Sequence, residues 1–97
     1  MEQAKKSDYK KAAGLFKVFS HPTRLMIINE LMIGRKCVND IKELVHVNQP
    51  NISQHLALLK MHGIVDSLQN GKMKCYFLKQ EEMIRKILKI LRNNSMI

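Results

Sequence analysis

Apolar residues recur at helical spacing through most of the chain. Over 8–19, Ala12, Leu15, Phe16 and Phe19 fall on one side with Lys10, Lys11 and Lys17 among them, which predicts an amphipathic helix. Ser20-His21-Pro22-Thr23 follows. Ser20 is the expected cap of the next helix, and Pro22 in its first turn removes only an amide that would have no helical partner. That helix, about 21–33, presents Leu25, Ile28, Leu31 and Met32, and Gly34 ends it. Val38, Ile41, Leu44 and Val45 predict a short helix over 38–45, with Asn39 as its cap and Asp40 and Glu43 suited to a helix N-terminus. Asn48-Gln49-Pro50 repeats the arrangement of a capping side chain before a first-turn proline. The helix it opens, about 49–62, carries Ile52, Leu56 and Leu59 on one face and closes at Gly63.

After Gly63 the period shortens from 3.6 toward 2. Ile64–Leu68 and Met73–Leu78 flank Asn70-Gly71, a strong local signal for a tight hairpin. Helical spacing returns over 80–93, with Met83, Ile84, Ile87, Leu88 and Leu91 as the stripe. No linker, repeat or low-complexity tract interrupts the order helix, helix, short helix, helix, strand, strand, helix, so residues 1–97 read as a single domain.

Two helices joined by a tight turn, here His46-Val47-Asn48, and followed by a hairpin are the plan of a winged helix-turn-helix. The fold class expected is mainly α with a small β-hairpin wing. The helix-turn-helix spans about 38–62 and the wing about 64–79. The helix 49–62 commits its apolar side to the core. Its other side offers Gln49, Asn51, Ser53, Gln54 and His55, with Lys60 further along. Gln and Asn pair with adenine in bidentate fashion, and Ser and His take bases or phosphates. Lys72 and Lys74 on the wing are placed for phosphates.

Charge strengthens this reading. The chain has 17 Lys+Arg against 8 Asp+Glu, a formal net charge of +9. Such a balance points to a polyanion, double-stranded DNA before an anionic membrane surface. Two cysteines are too few for a disulfide scaffold, the N-terminal MEQAKKSDYKK has no apolar core for a signal peptide, and no run approaches 18 apolar residues. A cytoplasmic protein with no membrane partner is expected. Two other classes remain open: a winged-helix protein-interaction module with a basic surface, and a membrane-surface protein using the basic, apolar helix 80–93. An interaction module would more often expose apolar or acidic anchors where this chain has Gln49, Asn51, Gln54 and His55.

Residues 21–34 (HPTRLMIINELMIG), 38–65 (VNDIKELVHVNQPNISQHLALLKMHGIV) and 71–78 (GKMKCYFL) together resemble the ArsR/SmtB repressors. The most specific part runs from Ser53-Gln54-His55-Leu56 through Leu59 to Gly63-Ile64-Val65, and the resemblance covers about residues 10–92. It implies a dimeric winged-helix transcriptional repressor that leaves its operator when a metal ion or chemical stress reaches it.

The family's metal sites do not carry over. Where its arsenic and cadmium sensors have Cys-Val-Cys-Asp, this chain has Cys37-Val38-Asn39-Asp40, and one thiolate is a poor site for a soft ion. Its zinc and nickel sensors use His and carboxylate ligands on the last helix; helix 80–93 has no His, no Cys and no acidic residue after Glu82. His21, His46, His55 and His62 form no ligand-like pair and read as structural. No metal or other cofactor is expected. Ser53 and His55 are neighbours on one helix rather than a nucleophile facing its base, so the chain is not expected to be an enzyme.

Two further expectations follow. Leu15, Phe16 and Phe19 with Ile84, Ile87, Leu88 and Leu91 exceed what the remaining core can bury, so helices 8–19 and 80–93 are expected to form a dimer interface. Two reading helices would then face an inverted repeat. Winged-helix folds also pair the segment before the third helix with the last wing strand, here Lys36-Cys37-Val38 with Cys75-Tyr76-Phe77. In one register Cys37 and Cys75 come within disulfide reach, and Lys36, Lys72 and Lys74 favour their thiolates, giving a thiol switch driven by oxidation or persulfide bridging. A slip of one residue would point them to opposite faces and leave Cys75 a plain strand residue and Cys37 a remnant of a decayed metal site.

Overall fold

The structure is a computed structural model that describes residues 3–45 and 51–97. Among the described residues, the elements follow in the order α1 (Lys6–Phe19), α2 (Pro22–Ile33), β1 (Lys36–Cys37), α3 (Val38–Val45), α4 (Ile52–Met61), β2 (Val65–Asn70), β3 (Met73–Leu78) and α5 (Glu81–Asn93). The winged helix-turn-helix order expected from the periodicity holds, with β1 added to the sheet. The proposed turn at 46–48 and the site residue Gln49 lie outside the described residues.

One core draws on every helix. Val18 comes from α1, Ile27, Ile28 and Leu31 from α2, Ile41 and Val45 from α3, Ile52, Leu56 and Leu59 from α4, and Ile84 and Leu88 from α5. Val65 and Tyr76 close it from the sheet. This corrects one expectation. Ile84 and Leu88, expected in a dimer interface, are 0% and 1% exposed and belong to the chain's own core. α5 packs on α2 and helps to close this core. Of the other residues assigned to that interface, Phe16 is 74% exposed. Leu15, Phe19, Ile87 and Leu91 are half-buried.

Local chemistry fixes the helix ends, in part by different residues than expected. The Ser20 hydroxyl donates to the Lys17 carbonyl at 2.6 Å and so closes α1 instead of opening α2. His21 caps α2: its Nδ1 accepts the Thr23 amide at 3.1 Å, and Pro22 follows as the first helical residue. Asn39 lies inside α3 rather than capping it. Asp40 takes that part, its carboxylate accepting the Cys37 amide at 3.3 Å. At the end of α4, Gly63 has φ +74°, and the amides of Gly63 and Ile64 return to the carbonyls of Lys60 and Leu59. This left-handed closure satisfies two orphan carbonyls and drops Ile64 into the core beside Leu59.

The sheet is antiparallel in the order β1-β3-β2. Asn70 pairs with Met73, so the hairpin loop is Gly71-Lys72, one residue later than the Asn70-Gly71 signal suggested. Gly71 has φ +64° and Lys72 is not among the residues of positive φ, the pattern of a turn whose first central residue must be glycine. The loop lifts Lys72 to the tip of the wing. On the other side of β3, Lys36 pairs with Tyr76 and Cys37 with Cys75.

Candidate nucleic-acid interface

The burial of α4 divides it cleanly. Ile52, His55, Leu56 and Leu59 face inward at the spacing i, i+3, i+4, i+7. Ser53, Gln54, Ala57, Lys60 and Met61 face solvent, and Asn51 at the helix start is exposed too. Of the site residues expected on this segment, Asn51, Ser53, Gln54 and Lys60 therefore share the open side. Ala57 is an addition: a small side chain there leaves room for bases to approach its neighbours and can meet a thymine methyl.

His55 does not belong on that side. It is 9% exposed and packs against the His21 ring, centroids 4.5 Å apart and planes tilted by 47°. Its Nδ1 lies 3.3 Å from Nη1 of Arg24. Burial, then electrostatic repulsion from His21 and Arg24, lowers its pKa below the ordinary histidine value. A neutral, inward ring cannot read a base edge, so the expected base contact is replaced by a packing role. No periodicity marks Arg24 in the sequence. Its Nε donates to the Val18 carbonyl at 2.7 Å and its Nη2 to the Lys17 carbonyl at 3.1 Å, fixing the end of α1.

The wing carries further basic residues. Lys72 and Lys74 are both exposed, and the Lys74 ammonium lies 6.0 Å from the centroid of the Tyr76 ring. The Gln69 side-chain amide donates to the Gly71 carbonyl at 3.1 Å and braces the loop that carries Lys72. Lys60 reaches across from α4 to β2, donating to the Ser67 hydroxyl at 2.9 Å with the Asp66 carboxylate at 3.8 Å. An exposed pair of this kind contributes little energy.

Cys37 and Cys75 are joined by a disulfide, with Cα atoms 3.7 Å apart and 38 residues between them in sequence. The register that sets them opposite each other is thus the one present. The bond ties the base of α3 to the central wing strand. Among the described residues no group of three or more His, Cys, Asp or Glu is arranged to hold a metal ion. Among them, too, no helix is long and apolar enough to cross a membrane.

Comparison with known proteins agrees with this geometry. The sequence profile of the arsR family of bacterial regulatory proteins matches residues 21–67. An HTH-type transcriptional regulator of Methanocaldococcus jannaschii is 39% identical over 84 residues, which cover 86% of this chain and 93% of that protein. The HTH-type transcriptional repressor SmtB of Mycobacterium tuberculosis is 33% identical over 79% of this chain; the match spans 58% of its own length. Among solved structures, the homodimeric winged helix-turn-helix DNA-binding domain of a possible ArsR-family regulator from Mycobacterium bovis superposes with a TM-score of 0.81. It covers 99% of this chain and 94% of that one at 21% identity, a likeness of fold. The chain belongs to the arsR family of bacterial regulatory proteins and is a DNA-binding transcriptional regulator, not an enzyme.

Proposed function

We propose that this chain is a homodimeric repressor that reads an inverted-repeat operator with the open face of α4. The observation that carries the reading is the division of α4, with four inward positions buried and Ser53, Gln54 and Ala57 exposed, in a chain whose wing carries exposed Lys72 and Lys74. Asn51, Ser53 and Gln54 supply base contacts, while Lys72 and Lys74 hold the phosphate backbone. SmtB, a relative, is a named repressor, and the Mycobacterium bovis neighbour is homodimeric; both support the same arrangement here. The partner copy packs on the apolar surface that α1 and α5 leave uncovered, chiefly Phe16 with half-buried Leu15, Phe19, Ile87 and Leu91.

Two substitutions separate the two kinds of contact. Gln54→Ala is expected to cost about 1–3 kcal/mol of operator binding and to relax preference at one base position. Lys72→Ala is expected to weaken binding to all sequences alike and to lower the slope of affinity against salt by about one. Equal, sequence-blind losses from both would contradict the assignment of the reading face.

The signal that releases the operator is, in this reading, formation of the Cys37–Cys75 bond. Cys37 is the more exposed of the two residues and Cys75 is buried. The Cys37 thiolate attacks a hydroperoxide, expelling an alcohol and leaving a sulfenic acid, and the Cys75 thiol then displaces water. Two thiols lose two electrons and two protons in all. The bond fixes β3 against the base of α3 and so sets the angle between wing and reading helix. Gel shifts are expected to show tight operator binding by the reduced protein and weaker binding after mild oxidant, with Cys37→Ser insensitive to both. Equal binding by oxidised and reduced wild type would remove the switch.

A further inference from the structure

His55 lies on the same helix as the outward-facing Ser53 and Gln54, yet its ring points into the protein and meets Arg24. A guanidinium can only donate. The Nδ1 that faces it must therefore offer a lone pair, which places the imidazole proton on Nε2 and leaves the ring neutral. The Nε and Nη2 of Arg24 donate to the carbonyls of Val18 and Lys17 in the last turn of α1. One side chain of α2 thus holds the end of α1 and the start of α4 together. His21 completes the joint: its ring packs on His55 while its own Nδ1 is occupied by the Thr23 amide that it caps. Thr23 is buried beside them.

We infer that Arg24 is a positioning residue for operator recognition, holding α4 in its reading orientation against α1 through neutral His55. The inference rests on the proposed reading of operator DNA by α4. It accounts for three groups gathered where no catalysis or metal needs them. It also gives the protein a pH response opposite in sign to the usual one. Acid ordinarily strengthens DNA binding, because added positive charge favours the polyanion. Here protonation of His55 sets an N–H and a positive charge against the guanidinium, and the joint opens. Among the described residues, the charged and titratable groups that act on His55 are Arg24 within α2 and His21 at its cap. Both oppose its protonation. Because its folded pKa lies below the ordinary value, the joint is intact above about pH 6.5 and fails as pH falls through the folded value.

The test uses the full reduced chain with operator and scrambled duplexes, followed by fluorescence anisotropy between about pH 7.5 and about pH 5. Wild type is expected to lose operator affinity in acid while its binding to scrambled DNA holds or rises. In His55→Gln the amide oxygen still accepts from Arg24 at every pH, so operator binding near wild-type strength with no acid loss is expected. Arg24→Lys keeps the charge but can make only part of the bridge, and about tenfold to hundredfold weaker operator binding is expected, with scrambled DNA unaffected. Operator binding by Arg24→Lys equal to wild type, or the same acid loss in His55→Gln, would overturn the proposal. Nitrogen chemical shifts of the His55 ring, recorded without DNA, test the joint separately: the expected pattern is a bare Nδ1 and a protonated Nε2 at neutral pH. A protonated Nδ1 would overturn the joint itself. The expected shifts without operator preference would instead count against the reading of α4 on which the inference rests.

Discussion

Leu88→Ala is expected to destabilise the protein by about 2–5 kcal/mol, the cost of removing a fully buried leucine from a close-packed core. Leu88 is 1% exposed and lies one helical turn from Ile84, which is fully buried. Together they make α5 the lid of the core drawn from α1 to α4. Loss on this scale is a large part of the 5–15 kcal/mol typical of a small domain. Denaturant unfolding at fixed protein concentration measures it directly. Phe16→Ala is the control, because a ring that is 74% exposed lies outside the core. A Leu88→Ala midpoint matching that of wild type would mean that α5 is not part of the core.

Reduction of the Cys37–Cys75 bond carries the other large effect. The 38-residue separation closes a loop whose release gives back chain entropy worth about 4 kcal/mol to the unfolded state. For a domain of this size, that corresponds to a fall in Tm of roughly 15–30 °C. Thermal melts of the reduced wild type and of Cys37→Ser are expected to agree with each other and to lie well below that of the oxidised wild type. A reductant shift in Cys37→Ser as large as that in wild type would show that the reductant acts elsewhere. The same free energy bears on the proposed switch. Stabilising the oxidised fold this strongly makes the bond persist once formed, so recovery of operator binding requires a dithiol reductant rather than dilution.

The fold was legible because each element announces its period. Spacing of 3.6 located the helices to within a few residues, and the change to spacing of 2 located the wing. The resemblance of residues 21–34, 38–65 and 71–78 then supplied the family, which spacing alone does not contain. The errors have particular physical causes. His55 occupies a position, three after Ile52 and four before Leu59, that the helical period itself marks as inward; treating histidine as polar concealed it. Burial first, then His21 and Arg24, lower its pKa, and those two residues are distant in sequence and adjacent only in the fold. Ile84 and Leu88 were assigned to an interface because a stripe shows that a face is covered without showing by what. Ser20 and His21 both have capping side chains, and only the backbone decides which carbonyl or amide each reaches. The strand register behaves in the same way: β1 has two residues, too few to carry a period, so the pairing of Cys37 with Cys75 follows from how the chain enters α3.

The most direct test of the central claim is an anisotropy titration of the reduced protein against the duplex upstream of its own coding sequence, over a range of salt. The account predicts two protomers per site and affinity falling steeply with salt. It also predicts preference for that duplex over a scrambled one by a factor of about 10³ or more. Equal affinity for both duplexes at every salt concentration would contradict the assignment of α4 as a reading helix.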